Sequence, residues 1–111
     1  MNNSKETTAE PMKLKDLVTY QKGSVVSRTM VDEDGGTVTV FAFDEHQGLS
    51  EHTAPYDALV IVIDGKINVR ISGKDFNLDE GQMIIMPANK PHTLKAITKF
   101  KMLLVMIRTK Q

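Results

Sequence analysis

From Ser24 onward, runs of β-branched and alternating apolar residues are broken by turn signals at intervals of roughly 8 to 15 residues, with no helical period between them. Gly35-Gly36, Asp64-Gly65, Ser72-Gly73 and Asp79-Glu80-Gly81 supply that punctuation, because glycine reverses the chain at positive φ without a steric penalty. A chain built this way has strands too short to stand alone and turns too frequent for helices. It folds as an antiparallel sandwich or barrel.

The runs read as strands of different burial. Thr37 to Phe43 alternates Val38, Val40 and Ala42 against Thr37, Thr39, Phe41 and Phe43, a strand with two useful faces. After an irregular stretch, Ala58 to Ile63 is continuously apolar, as a buried strand is. Ile67, Val69 and Ile71 alternate with Asn68, Arg70 and Ser72, which leaves one face wet. Met83 to Met86 ends at Pro87, which has no amide to donate. Asp75 to Leu78, Thr93 to Ile97 and Phe100 to Ile107 complete the series. Residues 1–12 are polar and are expected to be a mobile leader, with one domain over 13–111. The pattern from Lys13 to Val18 fits an edge strand or a helical turn equally well.

Composition removes several function classes. Fourteen basic residues balance fourteen acidic ones, so nucleic acid, which needs concentrated Lys and Arg, is not an expected partner. No apolar run approaches a bilayer span, and no membrane partner is expected. The chain has no cysteine, hence no disulfide, thiolate nucleophile or cysteine metal site, and a reducing cytoplasm is the expected compartment. At 111 residues it buries little surface alone, so a homodimer is expected, pairing sheets or exchanging an N-terminal strand.

Residues 46–65 and 81–96 resemble the two conserved motifs of the cupin superfamily, small double-stranded β-helix or jelly-roll barrels. His52, Gly65, Gly81, Pro87 and His92 match those motifs. The resemblance implies an all-β barrel and, in the family, a metal held by three histidines and one glutamate. Here the second histidine position falls on Ala54 and the glutamate position on Ala58, or on Leu59 with the longer spacing. Asn89 and Ala96 also depart from the second motif, and His46 takes the place of the first motif's opening glycine. Two of the four implied ligands therefore remain, His52 and His92. Gln47 or water would complete a shell around a divalent transition metal (Zn, Ni, Fe, Mn or Cu), if one is held at all.

Gln47, Glu51, Tyr56 and Asp57 lie close in sequence to the missing positions. Asp57 sits one residue before the glutamate position, which in a regular strand turns its side chain to the opposite face. Met83, Met86, Met102 and Met106 fit core filling better than a soft pocket lining. Lys95, Lys99 and Lys101 read as a solvated face. The ligand-binding set expected is His52, His92, Gln47, Tyr56, Asp57 and Met86, with His52 and His92 as the metal pair. A small-molecule-binding barrel is the expected function; the alternative is a metal-dependent oxygenase, isomerase or decarboxylase of a small metabolite.

Overall fold

The computed structural model describes residues 9–109. Residues 1–8 of the expected leader lie outside the described residues. The chain runs through a 3₁₀ turn (Leu14–Asp16) and nine strands: β1 Val25–Glu33, β2 Gly36–Phe43, β3 Gly48–His52, β4 Tyr56–Asp64, β5 Lys66–Ile71, β6 Lys74–Asp79, β7 Met83–Met86, β8 His92–Ala96 and β9 Phe100–Arg108. These form a five-stranded sheet, β1-β2-β9-β4-β7, and a four-stranded sheet, β3-β8-β5-β6. Every pairing is antiparallel. The jelly-roll architecture expected from the turns and motifs is the one observed.

The inner faces close on one core. Phe43, Ala58, Val60, Val62, Met86, Phe100 and Met102 from the larger sheet meet Ile67, Val69, Leu78 and Leu94 from the smaller. Phe43 and Phe100 stack at the centre, their rings 4.5 Å apart and 9° from parallel. The alternation over Thr37 to Phe43 is resolved by a second, outer cluster. Val40 and Ala42 face away from the barrel and are still buried, because the N-terminal segment lays Leu17, Val18 and Tyr20 across them and Ile63. Burying an aliphatic side chain of this size contributes about 1.5–3 kcal/mol. Residues 13–18 are thus no edge strand, but a 3₁₀ turn leading into this cover.

Tyr20 fastens the cover. Its hydroxyl donates to Asp64 Oδ2 at 2.7 Å, and the Lys99 and Lys101 ammonium groups stand 4.8 and 5.0 Å from its ring centre. Burial, then the hydrogen bond and the negative charge of Asp64, push the phenol's pKa far above its ordinary value. Lys99 and Lys101 therefore clasp an aromatic ring rather than forming a plain solvated face.

One added strand, one turn boundary and one methionine's burial differ from the sequence reading. The segment between Asp44 and Ala58 contains a strand, β3, whose Leu49 alone is core-like among polar neighbours. The first hairpin turns at Asp34-Gly35, and Gly36 already belongs to β2, where a Cβ would run into the Met106 carbonyl. Met83 lies on the outer face and is exposed, while Met86 and Met102 are core and Met106 packs against it.

Candidate functional site

The site begins with the seating of β3 on β8. Gly48 lets the strands approach, since a Cβ there would strike the Leu94 carbonyl. Leu49 pairs with Leu94 and His52 with His92, so β3 spends two residues, Ser50 and Glu51, where β8 spends only Thr93. This β-bulge reverses the strand's parity. Strict alternation from inward-facing Leu49 would turn Glu51 inward and His52 outward. With the extra residue, His52 turns toward His92.

The two imidazoles meet edge to face, ring centres 4.3 Å apart at 69°, with Nε2 to Nε2 at 3.1 Å. His92 is buried, 6% exposed, whereas His52 sits on the exposed rim. Each Nδ1 is spoken for by a backbone carbonyl: Ser50 O at 2.8 Å from His52 and Lys90 O at 3.1 Å from His92. A carbonyl oxygen only accepts, so both Nδ1 atoms carry the proton. In the neutral rings both Nε2 atoms then present lone pairs to one another. That conflict is removed by one shared proton or by a cation in front of both nitrogens. Burial holds the His92 pKa below its ordinary value; the Lys90 carbonyl opposes this, and the charge of His52 adds to the lowering.

Two donor nitrogens about 3 Å apart suit adjacent positions on one ion with metal–nitrogen distances of about 2.0–2.1 Å. The four-ligand centre of the family does not fit this chain. Among the described residues no group of three or more His, Cys, Asp or Glu side chains comes together. Ala58 is buried within the core, and the Ala54 carbonyl instead accepts the Asn89 N–H at 2.8 Å.

The remaining expected residues scatter. Gln47 precedes β3, and its carbonyl bonds the Ala96 N–H at the end of β8 away from His92. It stands about 17 Å of extended strand from His52 and is not brought to the pair. Asp57 faces out, as its offset implied, and its carboxylate accepts the Ala88 N–H at 2.9 Å. Met86 is core. Tyr56 turns in at the start of β4 and lines a cavity of about 390 Å³ with Thr37, Met106 and Arg108. The loop 87–91 that delivers His92 is thus tied to the β3–β4 connection through Asn89 and to the start of β4 through Asp57. Asn89 has φ +65°, the left-handed region, where the second motif has glycine. Sequence reading registered Asn89 as a departure and missed that asparagine tolerates the same conformation. His46, at the first motif's glycine position, has φ +68° for the same reason.

Comparison with known proteins agrees with the fold. A conserved protein of unknown function from Streptococcus pyogenes is 33% identical over 96% of this chain and 94% of its own, with a TM-score of 0.89. A cupin 2 conserved barrel domain protein from Leptotrichia buccalis is 36% identical over 87% of this chain and 47% of its own, with a TM-score of 0.85. A cupin superfamily protein from Desulfitobacterium hafniense, 22% identical over 92% of this chain and 94% of its own, shares the fold at a TM-score of 0.87. No curated protein matches the chain. The Cupin domain model matches residues 39–108, from β2 through β9, and the chain therefore belongs to the cupin family.

Proposed function

We propose that this barrel binds a small molecule, with His52 and His92 as its polar anchor and with loose affinity for a divalent transition metal. The observation that carries the reading is the Nε2-to-Nε2 distance of 3.1 Å, with each ring held from behind by a backbone carbonyl at its Nδ1. A carbonyl bonded to the far ring nitrogen orients an imidazole ligand and raises its basicity. Two nitrogen donors without a carboxylate hold a metal weakly and select poorly among zinc, nickel, copper, iron and manganese. A metal held by His52 and His92 would supply Lewis-acid polarisation of a ligand oxygen.

Metal titration of the wild type, His52→Ala and His92→Ala tests this. Nickel or zinc should bind the wild type with a dissociation constant of about micromolar or weaker, and either substitution should abolish binding. Absence of binding in the wild type removes the metal from the reading. Imidazole ¹⁵N spectra showing protons on Nε2 rather than Nδ1 would overturn the anchor itself.

A second reading, a cupin enzyme, draws on His92 alone. A buried imidazole whose pKa is held low keeps an available lone pair at neutral pH and suits a general base. Stoichiometric iron, nickel or manganese in purified protein, lost in His52→Ala, would move the reading to a metal-dependent oxygenase, isomerase or decarboxylase.

A further inference from the structure

The cavity beside Tyr56 is built from parts that the histidine pair does not use, and neither imidazole lines it. Its walls come from the β1–β2 hairpin, the start of β4 and the end of β9. The bulge between Thr29 and Val31 sets its chemistry: beyond it Asp32 pairs with Thr37, which in turn pairs with Met106. Asp32 thereby shares the inner face with Thr37, and Glu33 and Asp34 continue the acidic hairpin end that borders the cavity. Arg108 lies opposite, paired with Tyr56. Its Nε donates to the Asp34 carbonyl at 2.9 Å and its N–H to the Gly35 carbonyl at 3.0 Å, which fixes the guanidinium at the cavity.

The state of the charges sets this cavity apart from an acidic surface. Among the described residues, neither Arg108 nor Asp32, Glu33 or Asp34 takes part in any ion pair, although all four line one cavity. An anion alone meets the Asp32 carboxylate and the acidic hairpin end, and a cation alone meets the fixed guanidinium. A molecule carrying both signs satisfies each wall.

We infer that this cavity is a binding site for a small zwitterion, an amino-carboxylate whose carboxylate meets Arg108 and whose ammonium meets the Asp32–Asp34 wall. Met106 and Tyr56 cover its carbon stem. About 390 Å³ falls within the size of ordinary metabolite sites.

Three probes with four carbons each and different charge test the assignment: 4-aminobutyrate, butylamine and butyrate, each titrated up to about 50 mM into ¹⁵N-labelled full-length protein. The amides of residues 32–37, 56 and 108 should shift and saturate with 4-aminobutyrate, and far less with the other two. Arg108→Gln and Asp32→Asn should each weaken that binding about tenfold, as expected for loss of a charge-assisted hydrogen bond. His52→Ala should leave it unchanged, which separates this site from the histidine pair. Spectral dispersion of each variant reports that it is folded. Butylamine binding as tightly as 4-aminobutyrate makes the cavity a plain cation site and overturns the proposal. So do preferential butyrate binding, the absence of a saturable shift, and retention of full affinity in folded Arg108→Gln.

Discussion

At the residue scale, His92 couples the site to stability through its proton. Its pKa is lowered in the folded protein, so the unfolded chain takes up the proton first as pH falls. The contribution of neutral His92 is whole above about pH 6.5, the ordinary histidine value, and is lost as pH drops through the lowered folded value. The slope this adds is at most about 1.4 kcal/mol per pH unit. Urea unfolding of wild type and His92→Gln between pH 5 and 8 checks it: the wild type loses stability on acidification and the variant loses less. Asn89 makes a separate, steric prediction. At φ +65° a side chain with a branched Cβ is strained, so Asn89→Val should cost about 1–2 kcal/mol, while Asn89→Gly stays within a few tenths. Denaturant midpoints measured at one pH read both.

The β3 bulge is where an element decides the chemistry. Deleting Ser50 removes the extra residue, so Glu51 pairs with Thr93 and His52 still pairs with His92, whereas deleting Ser50 and Glu51 together sets His52 opposite Thr93 on the outer face. The single deletion should retain nickel binding; the double deletion should leave the cooperative unfolding transition in place and abolish binding as completely as His52→Ala does. Retention of binding by the double deletion would mean that the strand end, not its parity, aims the ring. The β1 bulge acts alike on the larger sheet. It places Val31 opposite Val38 on the outer face and frees Asp32 to face the cavity. The strands from β4 onward were legible in sequence, because hydrophobic alternation and glycine turns are local signals. β3 was not, because its single inward apolar side chain, Leu49, carries no period of its own.

Across the whole molecule, the larger sheet presents an aliphatic row on its outer side. Val31, Val38, Val105, Leu59 and Ile85 are aligned by successive pairings through all five strands, a span of about 19 Å. The N-terminal cover reaches Val40 and Leu103 in the neighbouring row, while Ile85 stays 54% exposed. Apolar patches of this continuity mark association surfaces. A homodimer through this row should sediment at about twice 12.4 kDa, and Ile85→Lys should return the monomer without lowering its unfolding midpoint. A wild type that sediments as a monomer at all concentrations refutes the pairing.

What the amino-acid order determined by itself was the architecture: strand periods, glycine turns and a pair of motif histidines are encoded within a few residues of each position. The incompleteness of the family's four-ligand set was equally local, because alanine has no donor wherever it is placed. Only the tertiary structure decided that His52 faces His92, since one extra residue in β3 inverts its face and is invisible without β8 alongside. It alone assembled Asp32, Thr37, Tyr56 and Arg108 around one cavity, because those residues meet through strand register, and register is a property of pairs.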